Sequence, residues 1–453
     1  MYHIELFYEI SLFILYFITL ILMGSYIIKR VENGWDILSV FFIFFAVQYL
    51  LIPLLFILNK TVFFLDFPIG DLIVKYHGLE NFYSFNAFMV TIIFIAFLFA
   101  GMWSINDTKS KSYVVKDKTL YLFRRDISLV FLIGLFLTFL SLLSVFLYSN
   151  SFGGVARAIE VADNIRSGYG DEFWVSKTWV FTKRFIPFSL LGIIIFFTLE
   201  SRKGIVVWLM LFIGIGVTLL ATFALFRSKQ GILSLMLIYI FYLSLKNRKN
   251  YLFHLMIFFL VAVILIPLIE SYFSTGVLKM VEMSSFTQQI LEMLSFFNFD
   301  AVSLEFALEK QYDFRYFMDL ILGLSGKYIP ASWLASWGID AETVTINTFY
   351  FYGTMTQTVP PGVIGFGYYN LGVLGVIITA FGTGALFKKL DIYFKNLIVL
   401  NPRFMVLYAF IMTKAFTWTR TGLPKYAFYS TTMTVVLIIM IIGITKNDNK
   451  IQE

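Results

Sequence analysis

Long apolar stretches separated by shorter polar connections recur along almost the whole chain. Each stretch approaches the length that an α-helix needs to cross about 30 Å of hydrocarbon, and a helix satisfies its own backbone hydrogen bonds there. The pattern predicts about eleven spanning helices. Their predicted bounds are residues 5–28, 37–58, 85–103, 127–149, 185–199, 205–226, 231–245, 251–272, 370–387, 404–419 and 427–445.

The segment Phe273–Tyr369, called the roof below, is the one long connection between predicted spans. Within it, Phe286–Phe297 and Ala301–Gln311 have apolar residues at helical spacing, which is typical of short helices lying at a membrane surface. Connections of this length are usually folded and functional. We predict one domain, residues 1–453, in which residues 273–369 cover the functional site.

Composition strengthens the membrane interpretation. Of the 453 residues, 59% are hydrophobic and 14% charged, and the mean hydropathy is +0.82, values that a soluble domain of this size would not carry on its surface. There is no cysteine, so disulfides and thiolate chemistry are excluded. The predicted fold class is an all-α polytopic membrane protein with a large extracytoplasmic loop that contains short helices.

The net charge of +7 has a topological explanation. Basic residues concentrate in alternate short connections, which the positive-inside rule assigns to the cytoplasm. This predicts a cytoplasmic C-terminus, an extracytoplasmic N-terminus and an extracytoplasmic roof. Because topology accounts for the positive charge, we expect no nucleic-acid partner. The cytoplasmic connections include Lys29, Arg30, Lys116, Arg124, Arg202, Lys246, Arg248, Lys388, Lys395 and Arg403.

Basic residues on the opposite side lack that explanation. A single cation at a helix end ordinarily extends to the interface, but several that converge on one opening suit a phosphate or pyrophosphate, which the planar guanidinium binds in a bidentate manner. The candidates are Arg157, Arg166, Lys183, Arg184, Arg227, Lys229, Arg315, Lys414 and Arg420.

Acidic residues in the roof offer a second kind of chemistry. Asp300 precedes a helical run, so a helix N-cap and a catalytic or acceptor-binding role are both open. Glu305 and Glu309 share one helix face and are expected to be solvated. The sequence has no Asp-x-Asp, no clustered histidines and no glycine-rich nucleotide loop, so we expect no metal site and no cofactor.

Several short motifs occur in a fixed order from about residue 120 onward. They are Lys183-Arg184-Phe185-Ile186-Pro187, Arg227-Ser228-Lys229, Tyr328-Ile329-Pro330-Ala331-Ser332-Trp333-Leu334, Thr358-Val359-Pro360-Pro361-Gly362-Val363-Ile364-Gly365, Asn370-Leu371-Gly372-Val373-Leu374-Gly375 and Arg420-Thr421-Gly422. In order and spacing the chain resembles the O-antigen and enterobacterial-common-antigen polymerases, the oligosaccharide repeat unit polymerases of the Wzy family. Phe366 departs from the pattern, since relatives often have an acidic residue there.

The resemblance implies a GT-C-like glycosyltransferase of the cytoplasmic (inner) membrane whose site faces the periplasm or cell exterior. Donor and acceptor would both be polyprenyl-pyrophosphate-linked oligosaccharides, and a chain-length-regulating membrane protein would be a partner. It implies that Arg227, Arg420 and Asp300 are catalytic, the two arginines acting on the pyrophosphate. Arg166, Arg184 and Arg315 would bind the substrate pyrophosphate or glycan.

Two alternatives remain open. An O-antigen ligase would share this layout, but such ligases are expected to use a histidine in the large outer loop, and residues 273–369 contain none. A lipid-linked oligosaccharide flippase would also need a cationic cavity. Transporters commonly contain internal repeats and interrupted helices, and the sequence shows neither, so the large roof favours the enzyme.

Overall fold

The computed structural model describes fourteen stretches of the chain. They are residues 2–32, 34–58, 83–105, 127–162, 164, 170–198, 204–226, 230–257, 261, 300–309, 313–320, 343–353, 359–400 and 404–427. Within these ranges the protein is helical, with turns and bends between helices and no strand. Arg166, Arg227, the roof motif 328–334 and the predicted last span, 427–445, lie wholly or almost wholly outside them.

The helices are numbered in chain order. They are α1 (Tyr2–Val31), α2 (Ile37–Leu58), α3 (Phe85–Ser104), α4 (Ile127–Asn150), α5 (Val155–Glu160), α6 (Phe188–Thr198), α7 (Ile205–Leu219), α8 (Gln230–Asn247), α9 (252–257), α10 (300–309), α11 (Thr343–Tyr352), α12 (Gly362–Leu400), α13 (Phe404–Thr421) and α14 (Pro424–Ala427). A 3-10 helix, Val180–Phe185, precedes α6. Val47–Leu51 within α2 is a π-helical turn, and the π-helical turn Leu220–Leu225 follows α7.

Seven helical segments among the described residues are long and apolar enough to cross a membrane, which is consistent with a polytopic membrane protein. The first six, from Phe7–Val31 to Ile205–Thr222, coincide with the first six predicted spans to within a few residues, and the seventh is Gly362–Val399. Leu233–Asn247 is a shorter apolar helix at the seventh predicted span. Helix α13 occupies the tenth predicted span.

A core of aromatic side chains joins α1, α2, α3 and α12. Phe41, Phe45 and Phe94 are fully buried, and the Phe45 and Phe94 rings stack with their centroids 5.2 Å apart. Phe387 of α12 packs edge-on against Phe41 at 5.5 Å. Offset and edge-to-face pairs of this kind add to the stabilisation from buried area alone. These ring contacts hold α2, α3 and α12 together in the core.

Helix α12 is broken. The backbone leaves helical geometry at Leu371 and Gly372, where Gly372 has a φ of +58°. Gly367 and Gly375 are eight residues apart, a separation of about 12 Å in a straight helix, yet a Cβ on Gly375 would overlap the Gly367 carbonyl. The chain therefore reverses, and residues 362–370 form a first arm packed against a second arm, 373–400. The expectation that no helix is interrupted was wrong, because small residues at both contact points permit a reversal that hydropathy does not reveal.

The second arm of α12 crosses α3 with the two backbones in contact. A Cβ on Gly101 would overlap the Phe381 carbonyl, and a Cβ on Gly384 would overlap the Leu98 carbonyl. Small residues at a crossing allow helices to approach this closely, and van der Waals packing then holds them together. These two glycines fix the position of the second arm within the bundle.

At one end of the bundle, charged residues tie four helices together. The Arg30 guanidinium binds both carboxylate oxygens of Asp36 at 3.0 and 2.7 Å and contacts Asp391 of α12 at 3.4 Å. Lys395 contacts Asp36 at 3.4 Å, and the Tyr408 hydroxyl of α13 donates to Asp391. Burial acts to raise the pKa of Asp36, but Arg30, Lys395 and Ser39 outweigh burial and hold it below its usual value.

This end, called the Arg30 end, also receives the connection after α8, because the Ser244 hydroxyl accepts from the Trp35 backbone and donates to the Lys249 carbonyl. Three of the connections predicted to be cytoplasmic therefore meet at one end. Asp300 and Arg420 lie at the opposite end, called the Arg420 end. The grouping agrees with the alternation of basic residues in the sequence.

Candidate functional site

A cavity of about 210 Å³ lies at the Arg420 end, where α13 finishes. Arg420 occupies the last turn of α13 and is half-buried. Phe416, Thr417 and Thr421 come from the same helix, and the remaining wall comes from α11, α14 and the segment before α12. The residues that complete the lining are Val344, Pro360 and Tyr426.

Asp300 stands beside this cavity. It is the first described residue of α10, is 1% exposed, and interacts electrostatically with Arg420. Its Oδ2 atom is buried and has no hydrogen-bond partner within the described ranges. A buried carboxyl oxygen left without a partner is costly, and such groups concentrate at functional sites. The structure therefore brings together two of the three residues predicted to be catalytic, from segments about 120 residues apart in the chain.

Burial raises the pKa of Asp300 well above its usual value, and the positive charge of Arg420 acts in the opposite direction without overcoming burial. Burial therefore favours the protonated, neutral form of this carboxyl over the charged form. A carboxylate with a raised pKa is a stronger base once it has lost its proton. Asp300 is thus suited to taking a proton from a hydroxyl group once it is ionised.

Gly362 begins the first arm of α12 and forms one side of the site. It has a φ of +69°, and a Cβ there would overlap the Tyr49 hydroxyl and approach the Asp300 Cβ at 3.3 Å. The Tyr49 hydroxyl accepts a hydrogen bond from the Ile364 backbone N–H at 3.4 Å. Only glycine allows the arm to start here, between Tyr49 and Asp300.

Gly422 fixes the same arm from its other side. Its φ is +61°, and a Cβ there would overlap the Gly362 carbonyl and the Phe366 side chain. The Phe366 ring, at the position where the resemblance suggests an acidic residue, packs edge-on against Trp418 at 6.0 Å. The Pro-Pro-Gly and Arg-Thr-Gly motifs are thus in direct contact, although the sequence separates them by about sixty residues.

Among the other predicted site residues, the structure describes Arg315 and Arg184, and neither lines the cavity. Arg315 is half-buried at the reversal of α12, where its backbone N–H donates to the Tyr369 carbonyl at 3.2 Å and Phe317 donates to the Asn370 side chain. Arg184 is exposed on the 3-10 helix before α6. Arg166 and Arg227 fall outside the described residues. Arg315 therefore contacts the arm at the end opposite Gly362, about 12 Å along its axis.

Other features of the site were not predicted from sequence. Tyr49 gave no signal, since it lies inside an apolar span, although a π-helical turn such as Val47–Leu51 often marks a functional position. Within the described ranges, no three His, Asp or Glu side chains converge closely enough to hold a metal ion.

The prediction that Glu305 is solvated was wrong. Glu305 is only 1% exposed, whereas Glu309 on the same face is exposed as predicted. The Ser84 hydroxyl, which caps α3, donates to Glu305 at 2.9 Å. Burial raises the pKa of Glu305 to about 8, and the Ser84 hydrogen bond only partly opposes this. Glu305, which the sequence pattern assigned to a solvated face of α10, therefore packs against the start of α3.

We expect replacement of Glu305 by Gln to remove a pH-dependent loss of stability. Between the ordinary glutamate pKa, about 4.3, and a folded pKa of about 8, the folded state keeps a proton that the unfolded state has lost. Stability therefore falls as pH rises across this window, at up to about 1.4 kcal/mol per unit, and levels off above it. The melting temperature of Glu305→Gln should exceed that of wild type increasingly from pH 5 to pH 8.

Glu309→Gln is the matched control, because Glu309 is exposed one turn further along α10. Its melting temperature should keep most of the wild-type pH dependence, because burial is the main cause of the raised Glu305 pKa and the Glu309 charge is a smaller one. Equal pH dependence in wild type and Glu305→Gln would show that Glu305 is ionised in the folded protein.

Fold and site together define a helical protein of the polytopic membrane class, with a cationic and acidic site at one end of its bundle. Comparison with protein-family models, curated proteins and solved structures finds no match to the chain.

Proposed function

We propose that the chain is a membrane glycosyltransferase that polymerises polyprenyl-pyrophosphate-linked oligosaccharide repeat units, as in the synthesis of O-antigen or a related surface polysaccharide. The observation that carries the proposal is the pairing of Arg420, at the wall of the cavity, with the buried Asp300 beside it. A guanidinium and a carboxyl group are the two groups that this transfer needs. The resemblance of the sequence motifs supplies the substrate class.

In the proposed reaction, the bond between the first sugar of the growing chain and its pyrophosphate breaks. A hydroxyl group of the terminal sugar on a new lipid-linked unit forms the replacement bond. Asp300 takes the hydroxyl proton, and polyprenyl pyrophosphate leaves with the electron pair of the broken bond. Arg420 stabilises the charge that develops on the leaving group, which is where fixed positive charge accelerates such a reaction most.

The distribution of Lys and Arg between the two ends of the bundle supports a site that faces away from the cytoplasm. The Arg30 end collects connections rich in Lys and Arg, which the positive-inside rule assigns to the cytoplasm. The Arg420 end then faces the periplasm or cell exterior, where lipid-linked repeat units would be joined. A chain-length-regulating membrane protein would act on the same side.

We expect Arg420→Ala to slow chain elongation by roughly tenfold to a hundredfold, because a hydrogen bond to a charged group is worth about 1.5–3 kcal/mol and each 1.4 kcal/mol is tenfold in rate. Arg420→Lys keeps the charge but loses the planar fork, so its rate should be intermediate. The measurement is the ladder of products formed by purified protein from lipid-linked repeat units.

Arg157→Ala is the control for this experiment. Arg157 is exposed and pairs with Glu160 at 2.7 Å on the surface of α5, a pair that contributes little stability. Its ladder should match that of the wild type. Elongation by Arg420→Ala at the wild-type rate would remove Arg420 from the reaction.

A lipid-linked oligosaccharide flippase is the second candidate, and the broken helix α12 favours it, because transporters often place half-helix ends beside an anionic substrate. Deletion of the gene separates the two functions. Loss of a polymerase leaves single repeat units at the cell surface, whereas loss of a flippase leaves none there. An O-antigen ligase differs from both, since its loss leaves full-length lipid-linked polymer.

A further inference from the structure

The Tyr49 hydroxyl is fully enclosed and has only part of its hydrogen-bonding capacity in use. A tyrosine hydroxyl offers one donor and accepts through its lone pairs. Here it accepts from the Ile364 backbone N–H at 3.4 Å, so its lone-pair side faces the start of α12. Within the described part of the chain, no hydrogen bond has Tyr49 as the donor. Its proton is therefore available to a neighbouring acceptor.

Asp300 is the complementary group. Its Oδ2 atom is buried and has no donor within the described ranges. The place that a Cβ of Gly362 would fill overlaps the Tyr49 hydroxyl and is 3.3 Å from the Asp300 Cβ, so both side chains pack against Gly362. The Tyr49 hydroxyl, a donor without an acceptor, therefore lies next to the Asp300 carboxyl, whose Oδ2 atom is an acceptor without a donor.

The charged and titratable groups that interact with Asp300 in the described residues are Arg420 from α13 and Tyr49 from α2. Arg420 lines the cavity, so in the proposed reaction it is engaged by the pyrophosphate. The bound pyrophosphate then brings negative charge towards Asp300 just when that group must be ionised. Tyr49 remains as the neutral donor able to hold the carboxylate.

We infer that Tyr49 is a positioning residue that donates its hydroxyl proton to the ionised Asp300 and holds this carboxylate at the cavity. The inference rests on the proposed function. Tyr49 also accepts from the Ile364 N–H, so the same side chain sets the start of the first arm of α12 and the orientation of the base. Tyr49 lies within the π-helical turn Val47–Leu51, a feature that often marks functional positions.

Tyr49→Phe tests the inference while keeping the ring that packs on Phe45 with centroids 5.0 Å apart. Without the hydroxyl, the Asp300 carboxylate loses a donor that favours its charged form. The acid side of the pH profile for chain elongation should move to higher pH by about one unit, with a smaller loss of rate at high pH. Incorporation of 3-fluorotyrosine at position 49, which strengthens the donor, should move the profile to lower pH.

Tyr408→Phe is the matched control. Tyr408 is also fully buried, and its hydroxyl donates to Asp391 at the Arg30 end, away from Asp300. This variant should lose stability without moving the pH profile. A profile that stays in place for both Tyr49→Phe and the fluorotyrosine protein would overturn the inference.

A stability measurement separates this inference from the proposed function. The drop in melting temperature caused by Tyr49→Phe should be larger at pH 9 than at pH 6, and this difference should vanish in the Asp300→Asn background. Such coupling, found in a protein that does not elongate chains, would refute the polymerase and retain the contact between Tyr49 and Asp300. Equal drops at both pH values and in both backgrounds would refute the contact, whatever the activity.

Discussion

Replacement of Asp300 by Asn is expected to abolish most chain elongation while making the protein more stable. A positioned general base contributes roughly 10²–10⁴-fold to a rate, and Asn cannot take a proton. The gain in stability arises because Asn resembles the neutral carboxyl that burial favours. The measurement pairs elongation rate with melting temperature across pH.

The sign of the stability effect follows from proton linkage. The folded pKa of Asp300 is raised, so the folded state holds a proton that the unfolded state loses above about pH 3.9. Wild-type stability therefore falls as pH rises above that value, and this contribution is absent in the Asn variant. The two melting temperatures should converge near pH 4 and separate progressively as pH rises above that value.

Opposite effects on activity and stability characterise a residue retained for function. A residue serving as a helix N-cap would behave differently, since Asn caps about as well as Asp and the activity would survive. Full elongation by Asp300→Asn would therefore assign Asp300 a structural role and leave Arg420 without its proposed base.

The largest loss of stability is expected from Arg30→Met. Arg30 holds Asp36 through two hydrogen bonds and also contacts Asp391, and both carboxylates are almost fully buried. Removal of one partner from a buried ion pair typically costs about 3–5 kcal/mol, since it leaves uncompensated charge. The melting temperature and the yield of folded protein in detergent would report the loss.

Lys395→Met is the comparison, because Lys395 is 56% exposed and its contact with Asp36, at 3.4 Å, is longer than that of Arg30. Its cost should stay within about 1 kcal/mol. In the Arg30→Met background, Asp36→Asn should recover part of the stability by removing the unpaired charge. Equal losses in the Arg30 and Lys395 variants would show that the cluster is held by packing alone.

The apolar spans were predictable because a bilayer sets their length, so local hydropathy carries the information. The first six predicted spans begin and end close to the helices observed. The Arg30 cluster was not predictable, since Arg30 and Asp391 are 361 residues apart and no local pattern links them. Long-range pairing of this kind requires the packed structure.

The residues of the site likewise divide into those that the sequence predicted and those that only the packed structure reveals. Asp300 and Arg420 were selected by residue type and by resemblance, and in the structure the two side chains interact electrostatically. Glu305 was misjudged because its spacing with Glu309 fits an exposed face equally well, and only the approach of Ser84 buries it. Tyr49 was missed because a tyrosine in an apolar helix is ordinarily core.

The reversal in α12 changes how the spans of this chain should be counted. The first arm, residues 362–370, is about 13 Å long at 1.5 Å per residue, less than half of a bilayer core of about 30 Å. The first arm is therefore too short to cross a bilayer by itself. Hydropathy finds a single apolar run from Gly362 to Val399, but only the second arm, residues 373–400, is long enough to contribute a crossing.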